Sequence, residues 1–308
     1  MKILFTGASS FTGYWFVKTL AAAGHEIFCP LTGEIGRYTD VRQQRVEKLK
    51  PLCKLIPNAP FGADNFLNLV REQNFDLLCH HAADVTNYKS ADFDAGAALQ
   101  NNTLNLRIVL AAMKSRGLKA VVLTGSVFEN DEGMGDDLMR AFSPYGLSKG
   151  LTCQFFRYYC HEAALPLGKF VIPNPFGPFE EPRFTAFLMK NWKSGKPVEV
   201  KTPDYLRDNI HVDLMALAYV HFCTSVADAK QSMLKINPSG YAEKQGAFAE
   251  RVAREVKSRT GWECELKLAR QTDFSEPLNR TNTAPAMKLF PDWSEKKAWD
   301  AFVEFYTA

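Results

Sequence analysis

The stretch KILFTGASSFTG, residues 2–13, joins a short apolar run to a turn of small residues. An apolar run that ends in glycine is typical of a buried parallel strand. The residues that follow, GYWFVKTLAAAG (13–24), have the apolar spacing of a helix that stops at a glycine. The stretch therefore predicts a strand, a tight turn and a helix, which is the first unit of a parallel α/β sheet.

The same alternation continues along the first half of the chain. Further strands are predicted at HEIFCPL, CKLIP, FDLLCHHAA, KAVVLTGS and LGKFVIP, mostly with helical segments between them. Such βαβ units predict a Rossmann-like, doubly wound parallel sheet, which we assign to residues 1–172. Shorter strands and helices follow, and they predict a smaller C-terminal α+β substrate-binding region over 173–308, with 207–236 returning to the core sheet.

Composition is that of an ordinary soluble globular protein. The 308 residues are 46% apolar and 23% charged, with a net charge of +3. This charge is too small to favour nucleic acid as a partner, and no apolar run reaches transmembrane length. The N-terminus is too short for a signal-peptide core, and seven scattered cysteines lack metal-like spacing. We expect a cytoplasmic protein with free thiols, no membrane partner and no metal site.

The turn TGASSFTG (6–13) lies where the first strand becomes the first helix. Small residues there let backbone N–H groups and the helix N-terminus approach a pyrophosphate. Its spacing, Gly7-x-x-Ser10-x-x-Gly13, differs from G-x-G-x-x-G, so the motif alone is weak. Its position as the first turn of a parallel sheet is what predicts a dinucleotide site.

Six segments occur in the order seen in extended short-chain dehydrogenases/reductases, and the sequence resembles that family: TGASSFTG, HHAADV, LTGSVFE, YGLSK, NPFGP and RDNIHVDL. The family includes nucleotide-sugar epimerases, 4,6-dehydratases and ketoreductases. The resemblance implies NAD or NADP as cofactor, a nucleotide sugar as substrate and a possible homodimer. Ser10 stands where the family usually has glycine. The cofactor-binding residues that the resemblance implies are Gly7, Ser10, Phe11, Gly13, Thr32, Arg37, Ala82 and Lys149.

The acid that would select NAD over NADP is missing from the end of the second strand. Leu31 takes its position, and Arg37 and Arg42 follow. A guanidinium suits the 2′-phosphate of NADP, so the sequence leans slightly towards NADP. Two alternatives stay open: Arg37 as a solvated loop residue, and Glu34 folding back to serve NAD.

The segment SPYGLSKG (143–150) places Tyr145 and Lys149 one helical turn apart. The resemblance implies that Tyr145 is the catalytic acid/base, that Lys149 favours its phenolate and holds the nicotinamide ribose, and that Thr124 orients the reacting oxygen. Ser126 is a rival for the role of Thr124, and strand alternation points both to the same side. The alternative for Tyr145 is a partly buried aromatic residue beside a surface lysine.

Gly125 and Ser126 follow Thr124, where the 4,6-dehydratases of this family carry Asp and Glu for water elimination. Neither residue can serve as acid or base, so a dehydratase of that type is excluded. What remains is hydride chemistry, in an epimerase or a ketoreductase. The alternatives are an NADPH-dependent reductase of a non-sugar carbonyl and a non-catalytic dinucleotide sensor.

Substrate contacts are also implied by the resemblance. Arg207 would hold a diphosphate, and its alternative is a salt bridge to Asp208 or Asp213. The family's asparagine before the next helix is displaced, because Leu99 takes its position and Asn101 and Asn102 lie beyond it. The full set of implied substrate-binding residues is Asp84, Ser126, Asn174, Arg207 and Arg280.

The remaining polar features have structural explanations as alternatives to functional ones. His80, His81 and His211 are predicted to pack rather than to catalyse. The acidic, glycine-rich segment ENDEGMGDD (129–137) is either a mobile lid or a solvated loop.

Overall fold

The computed structural model describes residues 1–135 and 138–308, and its centre is a seven-stranded parallel sheet. The strands are β1 (Lys2–Thr6), β2 (Glu26–Pro30), β3 (Lys54–Ile56), β4 (Leu77–His80), β5 (Ala120–Ser126), β6 (Leu167–Ile172) and β10 (Met233–Ile236). Their order is β10-β6-β5-β4-β1-β2-β3. The doubly wound parallel sheet is therefore confirmed, and its strand order reverses between β1 and β4.

Helices cover both faces of this sheet. They are α1 (Phe11–Ala22), α2 (Asp40–Leu49), α3 (Asp64–Glu72), α4 (Ala95–Asn102), α5 (Leu106–Ser115), α6 (Pro144–Glu162) and α8 (Val212–Ala227). The sequence patterns missed α2 and α4. In α2, DVRQQRVEKL, charged and amide side chains outnumber apolar ones, and α4, AGAALQNN, consists mostly of small and amide residues. Neither helix shows the apolar stripe on which a prediction depends.

The chain divides into two compact units. The first contains residues 1–132, 140–172 and 216–237, and the second contains 133–139, 173–215 and 238–308. In the first unit the sheet is buried on both faces, which explains the nearly continuous apolar strands. On one face Phe16 stacks on Tyr219 with ring centroids 3.9 Å apart. On the other face Phe66, Val109 and Phe156 belong to one buried cluster.

The second unit is built from short elements. They are β7 (Asn174–Phe176), α7 (Phe184–Lys193), β8 (Val198–Val200), β9 (Leu206–His211), β11 (Pro238–Ser239), β12 (Tyr241–Lys244), α9 (Gln245–Thr260), β13 (Leu266–Leu268), β14 (Ala284–Pro285), α10 (Ala286–Leu289) and α11 (Glu295–Thr307). Its sheets have the orders β12-β9-β7, β13-β8 and β11-β14. Each is too small to form a core alone, so helices α7, α9 and α11 supply most of the buried surface.

His211 lies inside the aromatic core of the second unit. Its ring is 4.3 Å from that of Phe176 and 4.6 Å from that of Trp299, centroid to centroid. Burial lowers the pKa of His211 to about 3, and the charges of Arg251 and Arg259 act in the same direction. A neutral, enclosed imidazole is a packing residue, as the sequence predicted.

All seven cysteines are free, and all except Cys53 are buried. The Sγ atoms of Cys79 and Cys223 lie 3.8 Å apart inside the first unit. Buried free thiols act as small apolar side chains. None of the helices described here is long and apolar enough to cross a membrane.

A buried carboxyl group occupies the loop between β7 and α7. Glu180 accepts hydrogen bonds from the hydroxyls of Thr185 and Tyr306 through Oε1, while Oε2 has no partner among the described residues. Burial raises the pKa of Glu180 to about 7, against the opposing effects of those two hydroxyls and Arg183. The folded protein therefore keeps this proton at a pH where the unfolded chain has released it.

This proton predicts a pH-dependent stability. Between about pH 4.5 and pH 7 the folded state binds more protons at Glu180 than the unfolded state, so the free energy of unfolding falls as the pH rises through that window. Glu180→Gln should remove this slope and gain on the order of 3 kcal/mol over the wild type at pH 8. The exposed Glu304→Gln is the control for denaturant titrations across the pH range. An unchanged slope in Glu180→Gln would contradict the assignment.

Candidate active site

The turn between β1 and α1 has no room for side chains at two glycines. Gly7 has φ of +80°, and a Cβ there would lie 2.8 Å from the backbone nitrogen of Ala82. A Cβ on Gly13 would lie 2.2 Å from the carbonyl oxygen of Gly7. The turn is thus pressed against the residues that follow β4, and the first turn of α1 points its unpaired N–H groups along the helix axis. Such a turn could hold a pyrophosphate.

Ser10 is the N-cap of α1. Its Oγ donates to the Gly7 carbonyl (2.8 Å) and accepts from the Gly13 backbone N–H (3.1 Å). The serine therefore supports the turn from within, and its predicted contact with the cofactor stays a prediction. Phe11, the first helical residue, is buried, so it can meet a cofactor only through its backbone.

Two arginines from α2 hold the turn from the other side. Arg42 donates to the Ser9 hydroxyl at 3.1 Å from Nε and 2.8 Å from Nη2. The buried Arg45 donates from Nε to the Ser9 carbonyl (3.0 Å). The sequence treated Arg42 only as a neighbour of the cofactor and missed Arg45, because the helix that carries both was not predicted.

The end of β2 shows no acid. Leu31 is buried, whereas Thr32 and Arg37 are exposed, and Arg37 closes a short 3₁₀ turn at Ile35–Arg37. Glu34, the alternative acid, accepts a hydrogen bond from Asn58. Arg37 is therefore the predicted guanidinium that stays open to solvent beside this strand.

Helix α6 starts at Pro144, with the hydroxyl of the N-cap Ser143 accepting from the Gly146 N–H (3.4 Å). Tyr145, in its first turn, is half-buried. Two aromatic rings of the segment after β4 meet it edge-on: Tyr88 at 5.3 Å and Phe93 at 5.9 Å between ring centroids. The sequence missed these neighbours, which hold the ring of Tyr145 in place.

Lys149 lies one turn further along α6 and is buried. Its ammonium donates a hydrogen bond to the backbone carbonyl of Thr124, at the end of β5. Burial lowers the pKa of Lys149, the charge of Lys169 lowers it further, and Glu129 opposes both. The alternative of a surface lysine is wrong: Lys149 ties the Tyr145 helix to the strand end that carries Thr124.

Thr124 and Ser126 differ in their surroundings, although both point to the same side of β5. The Thr124 side chain is buried and its Oγ1 lies 3.0 Å from Nδ1 of His81. Ser126 is half-buried, and its Oγ accepts from the N–H of Phe128 (3.2 Å). Thr124 is thus the more firmly held of the two hydroxyls.

A buried ion cluster lies at the end of β5, on the face of the strand opposite to the side chains of Thr124 and Ser126. The Lys169 Nζ, from β6, is 2.6 Å from carboxylate oxygens of both Glu129 and Glu132. Glu132 also binds Lys235 (3.2 Å) and the side-chain amide of Asn237 (3.1 Å). Glu129 and Glu132 belong to the acidic segment 129–137, so at these residues the expectation of a lid or solvated loop is wrong. Residues 136 and 137 lie outside the described residues.

This cluster explains Gly125. A Cβ at that position would lie 2.7 Å from Cε of Lys169 and 2.9 Å from Oε1 of Glu129. The Glu129 carboxylate also accepts from the Ser126 backbone N–H (2.7 Å). Position 125, where the 4,6-dehydratases of the related type carry an acid, therefore has no room for a side chain unless Lys169 and Glu129 move.

Asp84 and Asn102 fix the segment after β4. Asn102, which is buried, accepts from the Asp84 backbone N–H (2.9 Å), and Asp84 accepts from the side-chain amide of Asn101 (3.0 Å). The two asparagines that are displaced in the sequence comparison thus both contact Asp84, one through its backbone and one through its carboxylate.

The other substrate candidates lie in the second unit. Arg207 is largely buried, and its Nη2 forms an ion pair with Glu276 (2.9 Å). Arg280 is fully buried, with its Nε near the position that a Cβ on Gly135 would take. Asn174 donates to the Asp208 carbonyl (3.3 Å).

Comparison with known families supports this geometry. Residues 3–236 match the model of the family described as NAD dependent epimerase/dehydratase. The chain belongs to that family. The matched range includes the glycine turn, the Thr124 strand end and the Tyr145–Lys149 helix, so the predicted resemblance to extended short-chain dehydrogenases/reductases is confirmed.

Solved structures show the same fold as this family member. The chain is similar to the UDP-glucose 4-epimerase of Thermotoga maritima, with a TM-score of 0.76 at 17% identity, covering 100% of this chain and 99% of that one. It is similar to the UDP-glucuronic acid 4-epimerase of Bacillus cereus, with a TM-score of 0.73, 17% identity and coverage of 100% and 99%. It is also similar to the UDP-glucose-4-epimerase of Stenotrophomonas maltophila, with a TM-score of 0.78 at 17% identity, covering 100% of this chain and 98% of that one. A comparison with curated protein sequences found no match.

The ion cluster of this family member yields a stability prediction. Lys169→Met leaves Glu129 and Glu132 buried without their shared cation, which should lower the free energy of unfolding by about 3–5 kcal/mol. Lys235→Met removes a half-exposed partner of the same Glu132 and should cost less than about 1 kcal/mol. Denaturant unfolding of both variants measures the difference. Equal losses would show that burial of the cluster is not what matters.

Proposed function

We propose that the protein transfers hydride at a carbinol or ketone carbon of a nucleotide-activated sugar, as an epimerase or a ketoreductase, with Tyr145 as acid/base. The observation that carries this proposal is the buried Lys149, which donates to the strand end at Thr124 from one helical turn beyond Tyr145. Burial disfavours the charged form of a lysine, so a buried lysine is expected mainly where its charge serves binding or catalysis.

The proton chemistry follows from these side chains. The pKa of a free tyrosine is ~10, so an unassisted phenol is a poor base at neutral pH. The Lys149 ammonium favours the phenolate, so Tyr145 can take the proton of a sugar hydroxyl as the adjacent carbon loses hydride. Tyr145 returns the proton when the carbonyl is reduced. Thr124 or Ser126 would orient the oxygen during both steps.

The residues around the glycine turn fit a nicotinamide dinucleotide. Gly7 and Gly13 leave space for the pyrophosphate, and Lys149 would hold the nicotinamide ribose. When bound, the cofactor would accept and return hydride at C4 of the nicotinamide. We propose NAD first, since similar structures from Bacillus cereus and Thermus thermophilus hold NAD. Arg37 keeps NADP as the alternative, whereas Arg42 is engaged by Ser9.

A sugar nucleotide as substrate is supported by the similar structures that contain UDP-sugars. In this chain Arg207 is the proposed diphosphate ligand. Its partner Glu276 is half-exposed, so a diphosphate could replace that carboxylate without stranding a buried charge. Asp84, Asn174, Ser126 and Arg280 are the further proposed contacts.

The Arg207–Glu276 pair also favours a second candidate. If the pair persists, the protein has no free guanidinium at this position for a diphosphate, and an NADPH-dependent reductase of a non-sugar carbonyl becomes the better assignment. The catalytic residues would keep the same roles.

One experiment separates these functions. The purified protein is denatured and the released dinucleotide is identified by mass spectrometry, and UDP-, dTDP-, GDP- and CDP-sugars are then screened for thermal stabilisation. Retained NAD with stabilisation by one sugar nucleotide would support the proposal. Dissociable NADPH without any response to sugar nucleotides would reject the substrate class.

The mass of the protein in solution tests the homodimer that the resemblance implies.

Tyr145→Phe tests the mechanism. The variant keeps the ring between Tyr88 and Phe93 but loses the acid/base, so turnover should fall by at least about 100-fold while the dissociation constant of the cofactor stays nearly unchanged. Tyr158→Phe, at an exposed position on the same helix, is the matched control. Wild-type turnover in Tyr145→Phe would refute the assignment.

A further inference from the structure

His81 joins the cofactor turn to the proposed catalytic strand end. Its Nδ1 lies 3.0 Å from the Thr124 Oγ1, and its Nε2 lies 3.1 Å from the Ser10 Oγ and 3.0 Å from the Thr12 Oγ1. The ring packs against Phe5 and Phe16, with centroid distances of 5.6 and 5.3 Å. A single imidazole therefore connects two hydroxyls at the start of α1 with one near the end of β5, within the first unit.

The proton on this ring can be placed from its neighbours. The Ser10 hydroxyl donates its only hydrogen to the Gly7 carbonyl, so its oxygen can only accept from Nε2. Nε2 must then carry the hydrogen, which Ser10 and Thr12 share. The opposite tautomer would set two lone pairs against each other across 3.1 Å.

The protonation state of the other nitrogen, Nδ1, follows from the charge of the ring. Burial, with a smaller contribution from the charge of Lys149, lowers the pKa of His81 to about 3. The imidazole is therefore neutral, so Nδ1 carries no hydrogen and can only accept. The hydroxyl of Thr124 must be the donor in the bond to Nδ1.

We propose that His81 is a positioning residue, which holds the Thr124 hydroxyl as a proton donor to Nδ1 and couples its orientation to the cofactor turn through Nε2. The oxygen of Thr124 is then left as an acceptor for the proton of a substrate hydroxyl or of Tyr145. This role of Thr124 rests on the proposed function; the state of the His81 ring does not.

Two neighbouring groups lie beside these bonds. Thr124 lowers the pKa of Tyr219, against the larger effect of burial, which raises it, but the Tyr219 hydroxyl forms no hydrogen bond with a described residue. His80 accepts from the Thr6 hydroxyl through Nδ1 (3.2 Å) and packs on Phe156. His80 is thus a buried histidine of similar character that has no link to Thr124.

The first test reads the ring directly. Histidine-selective ¹⁵N labelling gives the tautomer of each of the six histidines, and the signal lost in His81→Asn identifies His81. A neutral Nε2–H tautomer of His81 that persists from pH 5 to pH 9 is expected. An Nδ1–H tautomer or an imidazolium in this range would overturn the proposal. This readout needs no substrate, so it survives a failure of the proposed function.

The second test asks whether His81 acts through Thr124. His81→Phe keeps the aromatic packing but removes both nitrogens, and it should lower kcat about tenfold, the scale of one hydrogen bond. In a Thr124→Val background the same change should cost no further kcat, because the hydroxyl that it positions is gone. An equal loss in both backgrounds would overturn the coupling.

Two further variants distinguish the loss of positioning from misfolding. His81→Asn keeps an acceptor near Nδ1, so it should recover most of the kcat lost in His81→Phe. Both variants should raise the dissociation constant of the cofactor, because the contact with Ser10 and Thr12 is lost. His80→Asn disturbs an adjacent buried histidine and should leave the Thr124 coupling intact. Failure of His81→Asn to recover kcat in a folded protein would count against the positioning role.

Discussion

Parallel pairing of β1 with β4 is the constraint on which the proposed site depends. The register places Thr6 opposite His80, and the Thr6 hydroxyl accepts from the backbone N–H groups of both His81 and Ala82. The two loops that leave these strands are therefore held against each other at the point where the strand order reverses. Ligands of open α/β sheets bind at such points. Gly7 is required because of this contact, whereas Gly13 is required because a Cβ there would meet the Gly7 carbonyl within the turn itself.

Charge burial is the second organising feature. Lys149 and Lys169 are both buried near the end of β5, and the carboxylates of Glu129 and Glu132 compensate Lys169. Buried ion pairs seldom increase stability over apolar side chains of the same size. Here the buried charges fix the position of the end of β5, because Glu129 binds the Ser126 N–H and Lys149 binds the Thr124 carbonyl. The same cluster fills the space beside Gly125, which adds a steric reason to the absence of a dehydratase acid.

The sequence was sufficient for the sheet because apolar strands and helical spacing are local signals. That Tyr145 and Lys149 share one face of a helix was predictable for the same reason, since they lie one turn apart. The contacts that define the site are not local: Lys169 meets Glu129 across 40 residues, and Arg45 meets Ser9 across 36. A lysine in the apolar strand LGKFVI was a usable signal, because an interior strand rarely holds a charge without a partner. No comparable signal marked His81, whose role depends on the hydroxyls around it.

Deuterium transfer tests the proposed hydride mechanism most directly. A sugar nucleotide that stabilises the protein is labelled with deuterium at the carbon to be oxidised, and one turnover is followed by mass spectrometry of the cofactor and the sugar. We predict that the label passes to C4 of the nicotinamide or is returned to the sugar, without exchange with solvent hydrogen. Loss of the label to water would show proton abstraction at carbon and would contradict hydride transfer with Tyr145 as acid/base.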